Sequence, residues 1–477
     1  MALAYHLRNL YEASPEFVRR SAGSVAGLLP LEWRYGPAFS RTWHLLRHSE
    51  QWDPGVQLAY QLTELRSLLH FAQARVPYYR HLFDKMGFHS GDIKSPDDIR
   101  CLPLLTREMV RELGADLLAE GVGQDSYKYS TTAGTSAKPL GFYVTHDASA
   151  AEWAFMLKNW ERAGYTPKSR RVVMRGRLIG GRRRGRLWEH DPVNQALFFS
   201  SFDLSDANLK TYLRVMQEYR PDFLHAFPSS ATLLAQYLQR CGQQLPSLRA
   251  LLLGSENLYP AQRQYLETVF GVRVFSWYGH SEKCILAGEC EHSSNYHVFP
   301  EYGITELVNA AGQTIKEPGT RGQLVGTGFI NRATVLIRYL TDDEAEWCAG
   351  PCRCGRTTPQ LCDVRGRWHQ EFLVGSSGAL ISAAAINLHT RVYTRMRQFQ
   401  FFQESPGRAK LRIVKAPEYT AADEADIVGE LTSKLESEID LAIEYVAVLP
   451  PTVSGKFKFV DQRIPIGYPE WDAGERE

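Results

Sequence analysis

"LRALLLGSE", residues 248–256, and "VRVFSWYG", residues 272–279, decide the fold. Each is a short, almost unbroken apolar run that stops at or near a glycine. Strands covered on both faces read this way, because neither face has room for water-facing side chains. Helical spacing precedes them in "ANLKTYLRVMQEYR", stopped by Pro221, and in "SSATLLAQYLQRCG", stopped by Gly242. Helices and buried strands in this order predict an α/β fold with parallel or mixed sheets wrapped by helices. Ligands of such folds collect beyond the carboxyl ends of strands. Ser255, Glu256 and the run Tyr278, Gly279, His280, Ser281, Glu282 are therefore candidate site residues.

Upstream, "PGVQLAYQLTELRSLLHFAQARV" has helical spacing and runs to Pro77. Downstream of about Trp368 the pattern changes. "QFQFFQES" and "AKLRIVKA" predict a hairpin, "ADEADIVGELTSKLESEID" an amphipathic helix, and "EYVAVLP" a further strand. The expected organisation is a large domain over 1–367 and a small, mobile α+β domain over 368–477, joined at "RGRWHQ".

Composition narrows the function classes. Lys plus Arg number 55 against 53 for Asp plus Glu, so no overall field attracts nucleic acid or an anionic membrane. Hydrophobic residues at 44% and charged ones at 23% describe an ordinary globular chain. No apolar run reaches the roughly 18 residues of a spanning helix, and the N-terminal segment lacks the pattern of a secretory signal. A cytoplasmic enzyme is expected. Five of the 8 cysteines, Cys290, Cys348, Cys352, Cys354 and Cys362, share one region with His292 and His297. In a reducing compartment such clustering favours a metal over a disulfide framework.

"YSTTAGTSAKPLGFYVTHD", residues 129–147, crowds small and hydroxylic residues ahead of a strand. Such a loop lets backbone amides and hydroxyls approach phosphate oxygens, although it does not match a Walker P-loop. In chain order it is followed by "LLLGSENL", "WYGHSE", "VLIRYLTDD", "VRGRW" and "PTVSGKFKF". This ordered set resembles the core motifs of adenylate-forming ligases, the superfamily of acyl-CoA synthetases and adenylation domains. "HFAQARVPYYRHLF", "CLPLLTREMV", "YRPDFLHAFPSS" and "ECEHSSNYHV" with "CRCGR" resemble its phenylacetate–CoA ligase and CapK-like branch.

The resemblance implies ATP-dependent activation of a carboxylic acid to an acyl-adenylate, followed by transfer to CoA or another thiol. Such catalysis works by positioning and charge neutralisation. Thr132, Gly134, Thr135, Ser136 and Lys138 would hold the phosphates. Tyr278 would lie against adenine near Ser255 and Glu256, with Gly279, His280 and Ser281 beside it, and Asp343 would take the ribose hydroxyls. Glu282 would hold Mg²⁺. Arg367 would sit at the hinge, and Lys456 would bridge carboxylate and α-phosphate. His225, Phe227, Pro228 and Trp277 would line the acyl pocket. Relatives also imply a zinc staple of Cys290, His297, Cys352 and Cys354 in an insertion of about 284–362.

Four departures bear on activity. Ala133 stands where the family has Ser, Ala137 and Asp342 where it has Gly, and Gln370 where it has Asp. A stand-alone adenylating enzyme with an amine, hydroxyl or carrier-protein acceptor therefore stays open, as does a non-catalytic scaffold. "KSRRVVMRGRLIGGRRRGR" places nine basic residues between Lys168 and Arg186. It reads as a surface loop, or as a contact for CoA phosphates, a carrier protein or an acidic substrate. No nucleic-acid partner and no membrane span are expected; a homodimer is left open.

Overall fold

Both deciding stretches form strands, Ala250–Leu253 and Arg273–Gly279, and they pair in parallel from Ala250↔Arg273 to Leu253↔Ser276. The computed structural model describes residues 27, 29–132, 140–177, 179, 186–201, 204–366, 372–382, 386, 396–435, 438–449 and 460–464. The chain forms two compact units. One comprises Met1–Ser130, Leu140–Thr166 and Trp277–Arg367; the other comprises Thr131–Pro139, Pro167–Ser276 and Trp368–Glu477. Among the described residues no helix is long and apolar enough to cross a membrane.

In the second unit, Ala250–Leu253, Phe223–Ala226, Arg171–Met174 and Ala196–Phe199 are neighbours in one parallel sheet. Trp188–Asp191 closes its edge antiparallel. The first three of these strands are buried at every position, which is why their sequences show no alternation. Helices Asp206–Tyr219 and Pro228–Cys241 cover the sheet through a core that includes Leu209, Tyr212, Leu234, Leu238, Leu251 and Leu253. The second helix starts at a proline and ends at Gly242, whose φ of 61° is the left-handed cap that glycine adopts without a side-chain clash.

The same unit contains the expected hairpin, Met396–Ser405 against Arg408–Lys415, and a helix over Ala421–Leu435. The further strand is not centred on "EYVAVLP". It is Asp440–Tyr445, because its parallel pairing begins at Arg408↔Asp440 and ends at Ile413↔Tyr445. Partner register, a long-range property, overrides the local apolar run.

The first unit is built on antiparallel pairing. Its strands lie in the order Thr314–Ile315, Gly303–Val308, Arg321–Gly328, Tyr339–Trp347, Gln360–Arg365, Tyr296–Val298 and Leu286–Gly288, the last pairing with Trp277 to Gly279. Glycine paves this sheet beneath the loop that follows Glu282. A Cβ at Gly326 would come 2.6 Å from Cys284 Cβ, and one at Gly328 would collide with the Lys283 carbonyl. The backbone of Lys283 and Cys284 therefore lies flush on Arg321–Gly328, and that contact fixes Glu282.

A buried ion pair locks this sheet to the N-terminal segment. Arg338 Nε and Nη2 donate to the two oxygens of Glu306 at 3.1 and 3.0 Å, and Nη1 donates to the Leu102 carbonyl at 2.7 Å. Both side chains are almost fully buried. Breaking such a pair leaves a charge stranded out of water. Arg338→Met should cost about 3–5 kcal/mol of stability, read as a lower urea midpoint; an unchanged midpoint would contradict this account.

Candidate functional site

Glu282 ends the turn after the strand Arg273–Gly279 and is 5% exposed. Three side chains surround it. Tyr339 Oη donates to Oε1 at 2.9 Å, Arg107 Nη1 lies 3.9 Å from the same oxygen, and His280 Nδ1 lies 3.3 Å from Oε2. Burial alone raises a carboxyl pKa, but the His280 ring and the Arg107 cation more than offset it and bring Glu282 down to about 2. The group is a fixed carboxylate with lone pairs left over. It fits one ligand of a hard cation such as Mg²⁺ in charge and donor type.

Beside it, Tyr278 Oη donates to Asp343 Oδ2 at 2.9 Å. Burial, with the Asp343 charge next to it, pushes the Tyr278 phenol well above its ordinary value, so it stays a donor. Asp343 is 8% exposed, and its backbone N–H donates to Thr341 Oγ1 at 3.2 Å. The His280 ring lies 6.1 Å from that of Tyr278 and 6.4 Å from that of Tyr339, joining the two pairs into one cluster. Gly279 and Ser281 are exposed at its edge. Trp277 faces Trp160 edge-on at 6.1 Å.

Backbone strain gathers at the predicted motifs. Ser255 (φ 69°), Lys283 (φ 60°) and Asp342 (φ 63°) are three of the seven left-handed non-glycine residues among those described. The value at Asp342 explains why its position suits glycine. Aspartate is among the few side chains that adopt this region readily, so the departure is tolerated.

In the second unit, His225, Phe227, Ser255 and Glu256 come together at the carboxyl ends of parallel strands. Glu256 accepts from Ser229 N at 2.9 Å and from Ser229 Oγ at 3.0 Å, capping the helix that begins at Pro228. Arg175 Nη1 lies 2.7 Å from His225 Nε2, and Arg175 also donates to Ser255 Oγ. Phe227 is buried among Leu373, Ile381 and Phe399, so it serves core packing as well. Thr132 is described and buried. Gly134, Thr135, Ser136, Lys138, Arg367, Lys456 and the departures Ala133, Ala137 and Gln370 lie outside the described residues.

Sequence reading did not assign Arg107, Tyr339 or Arg175 a role. Arg107 and Tyr339 lie inside quoted motifs, "CLPLLTREMV" and "VLIRYLTDD", but nothing local marks them as partners of Glu282. Arg175 was hidden in the basic run, where one arginine looks like another.

The cysteine-rich region divides in two. Cys348, directly after the strand Tyr339–Trp347, and Cys362, within Gln360–Arg365, are disulfide-bonded with Cα atoms 5.3 Å apart, so these two, outside the expected ligand set, depart from the expectation that the cluster favours metal over disulfide. Cys290, His297, Cys352 and Cys354 offer ligand atoms that all lie within 4.8 Å of one another. Cys290 Sγ is 3.6 Å from Cys352 Sγ, and Cys354 Sγ is 3.5 Å from His297 Nε2. A tetrahedral zinc sets such atoms about 3.5–3.8 Å apart, so the four residues fit that ion. His297 Nδ1 contacts Thr358 Oγ1 at 3.2 Å, an outer contact of the kind that orients a ligating ring. Arg356 then ties the loop to Glu50 at 2.7 Å and to Glu291 at 2.8 Å.

Comparison with known proteins bears on the family and the fold. Residues 373–463 match the CapK C-terminal domain. The chain is 27% identical over 312 residues to the phenylacetate-coenzyme A ligase of Escherichia coli, covering 64% of this chain and 70% of that one. It is 21% identical over 468 residues to protein CapK of Staphylococcus aureus, covering 96% and 100%. A solved structure of 2-hydroxyisobutyryl-CoA ligase with 2-HIB-AMP and CoA aligns at a TM-score of 0.59 and 18% identity, covering 87% of this chain and 92% of that one. That likeness establishes the fold.

Two measurements check the site. Because folding depresses the Glu282 pKa from 4.5 to about 2, its contribution is complete above pH 4.5 and is lost as pH falls through that window. The shift corresponds to about 3 kcal/mol. Glu282→Gln should flatten the acid limb of the stability profile, and an unaltered profile would refute the assignment. Metal analysis of the purified protein should find about one zinc per chain, lost in Cys290→Ser and Cys352→Ser. Metal-free wild-type protein that is equally stable with and without added zinc would count against the site.

Proposed function

We propose that the chain is an AMP-forming ligase of the adenylate-forming superfamily, in its phenylacetate–CoA ligase and CapK-like branch, a reading supported by its likeness to those proteins, and that it activates a small carboxylic acid with ATP and passes the acyl group to CoA. A carboxylate oxygen of the acid attacks the α-phosphorus, and the bond to the bridging oxygen breaks with release of pyrophosphate. The thiol of CoA then attacks the acyl carbon; its proton is lost to solvent and AMP departs. No bond to the protein forms at any stage, so the chain's contribution is to hold groups in line and to oppose charge as it develops.

The observation that carries this reading is the fixed carboxylate of Glu282 beside the Tyr278–Asp343 pair at a strand's end. Asp343 accepts from the ribose hydroxyls, as a carboxylate can from two donors at once. Tyr278 lies against the adenine with its own hydroxyl already committed, which fixes the ring. Glu282 holds Mg²⁺, which when bound neutralises phosphate charge. Thr132, Gly134, Thr135, Ser136 and Lys138 are assigned to the phosphates and Arg367 to the hinge. Lys456, in a lid over 368–477, is assigned to the carboxylate and α-phosphate. His225 and Pro228 line the acid pocket, with Phe227 and Trp277 as its apolar members. Zinc at Cys290, His297, Cys352 and Cys354 is structural. The setting proposed is cytoplasmic biosynthesis of a polysaccharide or natural product.

One observation favours a second reading. The strained Asp342 places an extra carboxylate next to Asp343, where it repels phosphate and weakens nucleotide binding. A scaffold of the same fold would then bind no nucleotide, which calorimetry with ATP decides; an amine or carrier-protein acceptor is separated from CoA by product analysis. The enzyme reading predicts acid-dependent exchange of labelled pyrophosphate into ATP. Lys456→Ala should lower that exchange by about a hundredfold or more while ATP binding persists. Wild-type exchange in the variant would remove Lys456 from the chemistry, and no exchange with any acid would refute the function.

A further inference from the structure

Arg175 belongs to the basic run that reads in sequence as a surface loop, yet the fold sets it, half-buried, at the end of a buried strand. It follows the buried strand Arg171–Met174 directly, at the carboxyl end. The neighbouring strand Phe223–Ala226 supplies His225, and Ser255 follows the next one, Ala250–Leu253. Three adjacent parallel strands thus deliver one polar side chain each to the same end of the sheet, where ligands of such sheets bind.

Among the described residues, hydrogen-bond donors gather at this spot. The guanidinium lies 5.2 Å from the centre of the Phe227 ring, donates to Ser255 Oγ, and has Nη1 2.7 Å from His225 Nε2. Burial draws the Arg175 pKa down to about 10, with Glu256 pulling it the other way. Burial, with Arg175 and Arg171 nearby, also keeps His225 neutral, its pKa well below the usual value. A neutral ring that accepts at Nε2 carries its proton at Nδ1 and is a donor there. Glu256, whose charge acts on Arg175, accepts from Ser229 at the start of the helix Pro228–Cys241. That helix adds its positive end. Ser255 is exposed, so the cluster opens to solvent. What complements these groups is an oxygen acceptor carried on an otherwise apolar body.

We propose that Arg175 is a specificity-determining residue of the acid site. The acid activated carries, besides the reacting carboxyl group, a hydroxyl or second carboxylate that the guanidinium binds. This rests on the acid-activating function above. It explains why a desolvated guanidinium stands among predicted acyl-pocket residues: a site built to hydrogen-bond a substituent rejects the analogue that lacks it.

The test compares pyrophosphate exchange by the full-length protein on phenylacetate, mandelate and phenylmalonate, which share one ring and differ in the added oxygen group. Wild type should favour one oxygenated acid over phenylacetate by about 10- to 100-fold in kcat/KM. Mandelate as the better substrate identifies the group as a hydroxyl, and phenylmalonate as a carboxylate. Arg175→Leu should collapse the ratio towards one, while Arg175→Lys retains part of it. Thermal midpoints of both variants control for folding. Equal loss on all three acids, a ratio unchanged in Arg175→Leu, or no preference in wild type overturns the inference and leaves the ligase reading intact. If no acid is activated at all, both fall together.

Discussion

A carboxylate kept ionised out of water is the constraint from which the rest of the first unit follows. Glu282 is buried, and burial by itself would protonate it. It stays charged because Arg107, His280 and Tyr339 converge on its two oxygens. Each partner arrives from a different part of the chain, so the carboxylate fixes the relative positions of a helix start, a turn and an antiparallel strand. The glycines of Arg321–Gly328 serve the same end by letting the Lys283–Cys284 backbone lie directly on the sheet. A side chain at those positions would displace the loop and, with it, the charge.

Strain follows from the same requirement. Ser255, Lys283 and Asp342 adopt left-handed backbone without being glycine. Each stands next to a residue whose direction matters: Glu256, Glu282 and Asp343. A tight reversal immediately beside a carboxylate aims it, and the surrounding packing holds the cost of that conformation. Asp342 shows that this chain meets the geometric demand of its position with a side chain that adds charge, so the departure touches electrostatics more than shape.

How far the fold could be read from sequence depended on whether the signal was local. The strands Ala250–Leu253 and Arg273–Gly279 were legible because short apolar runs ending at a turn are too short for a helix and suit a strand covered on both faces, whereas their neighbours Phe223–Ala226 and Arg171–Met174 were not read as strands. The helix over Pro228–Cys241 declared itself through the spacing of "SSATLLAQYLQRCG" and its stop at Gly242. The antiparallel character of the first unit was not legible, since its strands are set by pairing between distant segments. The strand Asp440–Tyr445 was misplaced for the same reason. At the site, Glu282, Tyr278 and Asp343 could be chosen because they sit in motifs, whereas Arg107 and Tyr339 matter through contacts across the sequence. Arg175 could not be separated from its basic neighbours until it was seen to follow the buried strand Arg171–Met174. The four zinc-type ligands followed from residue type together with the family resemblance, but that Cys348 pairs with Cys362 depends on strand register.

The central claim is that the cluster around Glu282 and Asp343 receives a nucleotide and its metal. A crystal structure of the protein with Mg-ATP tests it most directly. The account predicts the ribose hydroxyls on the Asp343 carboxylate, the adenine against Tyr278 and the cation on a Glu282 oxygen. A nucleotide bound elsewhere, with Glu282 still enclosed by Arg107 and Tyr339 and Asp343 touching only Tyr278, would contradict it.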